Sequence, residues 1–239
     1  IKEDKFYVVD SNNILRCISM IDGSLIWQHK SENNLIKSTQ KISIVIDKEK
    51  IIFNNSVGDV SALNINNGNL SWITTTGDKD SSVKPFLLKL SQLVINENSV
   101  LFSNNNNSFY SVNLETGFKN WTQNINSYLR PVVINDLIFT ITTKGYLVII
   151  DNPTGNIIRI TDVFDKFKEK KRNKIKPVGF VVGKDSLFLT TDNGKLLVID
   201  VSTGKTQSIL KIDNNKISKP FISNKNLYLV KDNLLIKLK

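Results

Sequence analysis

Residues 113–121 read Asn-Leu-Glu-Thr-Gly-Phe-Lys-Asn-Trp, and this pattern recurs with variations along the 239-residue chain. A glycine occupies the equivalent place in five segments, at Gly23, Gly68, Gly117, Gly155 and Gly204. The intervals between these glycines, about 40 to 50 residues, are typical of repeat architectures in which each repeat is one supersecondary unit. The chain is therefore predicted to consist of one repeated structural unit.

The residues around each glycine predict a hairpin turn. A small polar residue stands four positions before it, and an Asp or Asn side chain there can hydrogen-bond the turn backbone while glycine supplies the positive φ. Four positions after the glycine stands Trp27, Trp72 or Trp121 in the first three copies, and Arg159 or Ser208 in the last two. A tryptophan at this place on the returning strand can bury a large surface between repeats.

Short apolar strands flank each predicted turn. Residues 60–63 and 109–114 lead into the glycine, and further apolar runs such as 42–46 and 50–53 precede them. Four short antiparallel strands thus fit into about 45 residues. No segment has a sustained helical period, and only residues 162–174 could form a short helix. This pattern predicts an all-β chain, a β-propeller of four-stranded antiparallel blades.

The motif at residues 113–121 resembles the blade signature of the PQQ-like, or quinoprotein-type, β-propeller family. Within that family, residues 129–151 and 219–238 are similar to the last blades of the BamB proteins, which are lipoproteins of the outer-membrane β-barrel assembly machinery. BamB-like chains usually carry eight blades. The resemblance therefore implies a single propeller domain over residues 1–239 with about five to six blades present and the N-terminal blades missing.

The resemblance also implies a function. BamB-like propellers are non-catalytic scaffolds that bind the BamA subunit and assist the assembly and insertion of β-barrel proteins into the outer membrane. The expected location is the periplasmic face of that membrane, with a lipid anchor on a segment absent from this chain. The expected state is a monomer within the assembly complex.

Two loops are the predicted partner-binding sites, because the family contacts BamA through loops on one side of the propeller. One family loop reads Leu-x-Leu-Arg, and residues 34–38 occupy the matching place. The equivalent loop of the next blade carries two Asp residues in the family, whereas residues 88–92 contain no acid. The predicted contacts are Leu35, Ile36, Lys37, Leu88, Lys89 and Gln92. The alternative is that both segments are ordinary connections between blades.

The formal net charge of +10 favours acidic partners. Because the charge is dispersed and lacks interleaved aromatic residues, nucleic acid is not an expected partner. The densest basic run is residues 166–176. It is interpreted either as a solvated insertion or as an electrostatic contact with an anionic membrane surface or an acidic partner, with Phe164 and Phe167 as anchors.

Catalytic, cofactor and metal sites are not predicted. The chain has one histidine, His29, and one cysteine, Cys17, which excludes an internal disulfide and a Cys-x-x-Cys site. Phosphate-loop and His-Glu-x-x-His patterns are absent. Two alternatives to a scaffold stay open. One is a PQQ- or quinone-dependent dehydrogenase-like enzyme, although such family members are longer and need calcium and a catalytic Asp. The other is a PQQ-like sensor domain of a larger protein.

Overall fold

The computed structural model describes residues 1–31, 42–76 and 88–238. In these ranges the chain forms 22 strands and one helix of four residues, and the strands assemble into six antiparallel sheets. The all-β prediction is confirmed, and six sheets agree with the expected five to six blades. The chain divides into two compact units, Ile1–Asn124 and Ile125–Lys239.

The first unit contains three sheets, each a meander in which strands adjacent in sequence pair with one another. The first sheet comprises β1 (Lys5–Val9), β2 (Ile14–Ser19) and β3 (Leu25–Lys30). The second comprises β4 (Ile44–Asp47), β5 (Lys50–Asn54), β6 (Val60–Asn64) and β7 (Leu70–Thr74). The third comprises β8 (Val94–Asn96), β9 (Ser99–Asn104), β10 (Ser108–Asn113) and β11 (Lys119–Gln123).

The second unit contains three further meanders and the helix. The fourth sheet comprises β12 (Val132–Ile134), β13 (Leu137–Ile141), β14 (Tyr146–Asp151) and β15 (Ile157–Asp162). Helix α1 (Glu169–Arg172) precedes the fifth sheet, which comprises β16 (Pro177–Val182), β17 (Ser186–Thr191), β18 (Lys195–Asp200) and β19 (Thr206–Lys211). The sixth sheet comprises β20 (Phe221–Ser223), β21 (Asn226–Lys231) and β22 (Leu234–Leu238).

The middle strands of the second sheet are buried on both faces because they pack between the first and third sheets. In β5, Ile51 and Phe53 belong to a core shared with Leu15 of the first sheet. Ile52 points the other way and belongs to a core shared with Phe102 of the third sheet. Side chains alternate between the two faces of a strand, so a strand covered on both sides reads as a continuous apolar run.

The strands of each four-stranded sheet differ in exposure according to their order. Within the first unit, β4 lies beside β8, and within the second unit, β16 lies beside β20. Strands β7, β11, β15 and β19 expose half or more of their residues. First strands therefore meet at the inner side of neighbouring sheets, and fourth strands form the outer edge, as in the blades of a propeller.

Candidate partner-binding surface

The repeat glycines close the turn between the last two strands of the first five sheets. Their φ angles lie between +72° and +76°, a region that favours glycine. The N–H of Gly117 donates to the carbonyl oxygen of Asn113 at 2.9 Å. The side-chain Oδ1 of Asn113 accepts from the backbone N–H groups of Glu115 and Thr116, both at 2.9 Å. Both parts of the predicted turn chemistry are therefore present in the folded chain.

Trp27 and Trp72 each pack onto the repeat glycine of the following sheet. The indole Nε1 of Trp27 donates to the carbonyl oxygen of Ile65 at 3.1 Å, and that of Trp72 donates to Leu114 at 3.0 Å. Both indoles are buried. A methyl group at Gly68 would lie 2.6 Å from Cε3 of Trp27, so the ring and the glycine backbone are in direct contact. These two tryptophans therefore join adjacent blades.

The fourth copy joins adjacent blades with different side chains. Arg159 stands where the first three copies have tryptophan, and its guanidinium donates to the backbone carbonyl oxygen of Ser202. Two residues later, Thr161 lies against the next repeat glycine, since a methyl group at Gly204 would lie 2.6 Å from Thr161 Oγ1. In this copy Arg159 makes the hydrogen bond and Thr161 makes the glycine contact, whereas Trp27 and Trp72 each make both.

The remaining positions four residues after a repeat glycine are Trp121 and Ser208. Trp121 in β11 is half-buried and stacks on Phe109 of β10, with ring centroids 5.9 Å apart and ring planes inclined by 17°. Ser208 in β19 is exposed. Gly155 and Gly23 adopt the same turn as the other copies, with φ of +75° and +73°. Tryptophan packing on glycine is seen for Trp27 on Gly68 and for Trp72 on Gly117.

Asn13 makes a second contact between blades. Its backbone is left-handed, with φ of +61°, and its side chain is fully buried. Oδ1 of Asn13 accepts from the N–H of Ser56 at 2.9 Å, and Nδ2 donates to Ser56 Oγ at 2.8 Å. Nothing in the sequence pairs two polar residues in different blades.

Three of the predicted partner-binding residues, Leu35, Ile36 and Lys37, lie outside the described residues. Lys89 lies within them, and its side chain is exposed. The N–H of Lys89 donates to Asn105 Oδ1 at 2.7 Å, and its carbonyl oxygen accepts from the N–H of Asn105 at 2.9 Å. These two bonds hold the Lys89 backbone against the tip between β9 and β10.

The other two predicted contacts in this segment are less accessible. Leu88 is half-buried, and a methyl group at Gly58 would lie 2.7 Å from its Cδ2, so its side chain packs against the second sheet. Gln92 is also half-buried. Of the three residues, Lys89 therefore offers the most exposed side chain to a partner.

The expectation that Phe164 and Phe167 anchor a membrane contact is wrong. Phe164 is fully buried, Phe167 is 8% exposed, and their rings meet edge to face at a centroid distance of 5.5 Å. Both belong to the core of the fourth and fifth sheets, together with Val163 and Ile175. Because both phenyl groups are already buried in the protein core, they have too little exposed surface to insert into a bilayer.

The single histidine and the single cysteine both lie in the first sheet. His29 in β3 contacts the edge of Phe53, with centroids 6.2 Å apart, and burial lowers its pKa. Cys17 in β2 is a buried free thiol, and burial raises its pKa. Across residues 1–31, 42–76 and 88–238, no group of three His, Cys, Asp or Glu side chains could hold a metal ion. The same ranges contain no helix long and apolar enough to cross a membrane.

Four-stranded meanders, glycine-closed hairpins and face-to-face packing of neighbouring sheets define a β-propeller built from PQQ-like repeats. A family model described as "Outer membrane protein assembly factor BamB" matches residues 1–161, and the chain belongs to this family.

Two curated relatives extend the comparison. The outer membrane protein assembly factor BamB of Legionella pneumophila (strain Paris) is 25% identical over 211 residues, which cover 84% of this chain and 50% of the relative. An uncharacterized protein of Rickettsia conorii (strain ATCC VR-613 / Malish 7) is 24% identical over 226 residues, which cover 88% of this chain and 54% of the relative. The chain thus spans about half of the length of these relatives.

Solved structures show the same fold. BamB from Moraxella catarrhalis matches with a TM-score of 0.79 and 14% identity, over 99% of this chain and 70% of that one. The quinohemoprotein alcohol dehydrogenase from Comamonas testosteroni matches with a TM-score of 0.69 and 12% identity, over 87% of this chain and 41% of that one. At these identities the likeness concerns the fold alone.

Proposed function

We propose that this chain is a non-catalytic scaffold of the BamB type. It binds a BamA-like subunit at the periplasmic face of the outer membrane and assists the assembly and insertion of β-barrel proteins there. The observation that carries the proposal is the family match over residues 1–161, made to a model described as an outer membrane assembly factor. The Legionella relative, which bears the same description, supports it.

The geometry suits a scaffold because side chains of one blade hydrogen-bond the backbone of the next, and the outer strands are exposed. Trp27, Trp72 and Arg159 each hydrogen-bond the backbone of the following sheet. Outer strand β15 exposes Ile158 and Ile160 at 53% and 57%. Exposed sheet edges of this kind can accept a strand from a partner, with main-chain hydrogen bonds supplying affinity. Loops such as residues 88–92 supply side-chain contacts.

Charge reversal in the two candidate loops tests the proposed surface. We expect Lys37→Glu and Lys89→Glu each to weaken binding to the periplasmic part of the organism's own BamA-like subunit by about fivefold, the equivalent of roughly 1 kcal/mol. Biolayer interferometry with the immobilised subunit would measure the dissociation constants. Lys205→Glu is the matched control, because Lys205 is an exposed lysine in a repeat turn distant in sequence from both loops.

Two results would count against the proposal at different levels. If both loop variants bind as the Lys205→Glu control does, these loops are not the contact surface. If the unmodified chain does not bind the subunit at all, the scaffold function itself is wrong.

The competing function is quinone-dependent dehydrogenation, because quinohemoprotein alcohol dehydrogenases have a similar fold. Isothermal titration of the protein with PQQ and Ca²⁺ separates the two functions. A scaffold gives no saturable heat, whereas stoichiometric, tight binding would replace our proposal with the enzymatic one.

A further inference from the structure

The connection between β15 and β16 contains the densest basic run of the chain. Residues 166–176, here called the basic cap, contain seven basic residues and one acidic residue, Glu169. Their net charge is therefore +6, whereas the whole 239-residue chain carries +10. More than half of the excess charge lies in 11 consecutive residues.

Core packing, a hydrogen bond and an ion pair anchor the basic cap to the second unit. Phe167 and Ile175 lie inside the core, at 8% and 5% exposure. The ammonium of Lys166 donates to the backbone carbonyl oxygen of Gln207 at 2.7 Å. The guanidinium of Arg172 forms an ion pair with Asp162 at the end of β15. Because these contacts hold the segment in place, the lysines of the cap project from a well-packed part of the second unit.

The lysines themselves point outward. All six are exposed, namely Lys166, Lys168, Lys170, Lys171, Lys174 and Lys176. Glu169 and the preceding Asp165 are the exposed acids in and beside the cap. Clustered like charges of this kind create a local positive potential that attracts an anionic surface and is screened by salt.

The composition of the cap discriminates between types of anionic partner. Protein interfaces usually depend on aromatic and arginine anchors, and single-stranded nucleic acid binds through stacking on aromatic rings. Within residues 166–176, all of which the structure describes, the only aromatic side chain is the buried Phe167 and the only arginine is paired with Asp162. Lysines are point charges on flexible stems, which suits the fluid phosphate headgroups of a bilayer.

We propose that the basic cap docks the protein onto an anionic lipid bilayer. The contact is peripheral and electrostatic, since the two neighbouring phenylalanines are buried and no apolar side chain of the cap is available to insert. It uses a different segment of the chain from the loops proposed for the BamA-like subunit. The inference does not depend on that proposed function.

Vesicle co-sedimentation tests the inference with the complete chain. One vesicle type consists of phosphatidylcholine, and in the other phosphatidylglycerol replaces about a third of the lipid. The test variant is Lys168→Gln/Lys170→Gln/Lys171→Gln/Lys174→Gln, which spares Lys166 and its hydrogen bond. The control variant, Lys144→Gln/Lys184→Gln/Lys205→Gln/Lys216→Gln, removes the same charge from exposed lysines elsewhere.

Unmodified protein should bind the anionic vesicles in salt of about 50 mM and release them at about 500 mM. A lysine near an anionic surface strengthens binding about fivefold, so the test variant, which loses four lysines, should lose affinity on the order of 600-fold at low salt. The control variant should lose much less, and circular dichroism of both variants should match that of the unmodified protein. Binding to the BamA-like subunit should be the same for the test variant and the unmodified protein.

Three results would overturn the inference. The first is equal binding of unmodified protein to the two vesicle types. The second is an equal loss of vesicle affinity in the test and control variants. The third is a test variant that keeps its vesicle affinity but loses affinity for polyuridylate RNA or polyglutamate, which would assign the cap to a different anionic partner.

Discussion

Replacing Gly117 with alanine should destabilise the protein through two separable effects. The first is backbone strain, because Gly117 has a φ of +76° and an L-residue in the left-handed region costs about 1–2 kcal/mol. The second is a steric clash, because the new methyl group would lie 2.7 Å from Cδ2 and 2.8 Å from Cε3 of Trp72. Overpacking of this kind costs about 1–3 kcal/mol. The expected total is about 2–5 kcal/mol.

Gly23→Ala is the matched control for the strain alone. Gly23 closes the equivalent turn of the first sheet with a φ of +73°, and no described atom lies within 4 Å of the position its methyl group would take. We expect Gly23→Ala to lower the free energy of unfolding by only about 1–2 kcal/mol. The difference between the two variants therefore measures the contact between the turn of one blade and the indole of the preceding blade.

Urea-induced unfolding followed by far-UV circular dichroism measures these free energies. The clash is tested directly by placing Gly117→Ala in a Trp72→Ala background, where the ring is missing. In that background the glycine substitution should cost about 1–2 kcal/mol, the same as Gly23→Ala. If Gly117→Ala proves no more costly than Gly23→Ala, or if its cost persists after Trp72 is removed, the argument from tryptophan packing on glycine is refuted.

Three further predictions concern titratable groups. Hydrogen bonds from Ser202 and Thr203 lower the pKa of Asp200 from 3.8 to about 2, so its stabilising effect should be complete above about pH 4 and be lost towards pH 2. Asp200→Asn should flatten the dependence of the free energy of unfolding on pH in that window, and an unchanged dependence would refute the assignment. Burial lowers the pKa of His29 below 6.5, so protonation opposes folding and the free energy of unfolding should fall as the pH drops below that value. NMR titration of the single imidazole measures this pKa, and a value of 6.5 or above would contradict the prediction. Cys17 is fully buried, so its thiol should react with Ellman's reagent at the rate of unfolding, and rapid labelling of the native protein would contradict its position.

The hairpins could be predicted from the sequence because their determinants are local. The N–H of Gly117 and the side chain of Asn113 act within one five-residue turn, so residue type and spacing suffice to identify it. The strands were predictable for the same reason, since a continuous apolar run such as Ile51-Ile52-Phe53 reflects burial on both faces of one strand.

The candidate surface was much less predictable. Phe164 precedes the basic run and Phe167 lies within it, and the sequence alone suggested that both faced outward with it. Their burial depends on core partners such as Leu187 and Leu197, which lie in later strands. Similarly, an exposed Lys89 next to a half-buried Leu88 follows from packing against Gly58, which lies in another sheet. Such contacts carry no local sequence signal.

The sequence by itself determined the repeat, the turn type and the all-β class, because each depends on interactions between residues a few positions apart. Only the tertiary structure decided which side chain meets which glycine across a blade boundary. It showed Trp72 on Gly117, but Thr161 with Arg159 where the sequence offered no tryptophan. It also decided that the lysines of the basic cap are exposed, whereas Phe167 within the cap and Phe164 before it are buried. The physical reason is that burial depends on neighbours tens of residues away along the chain, which meet only when the sheets pack.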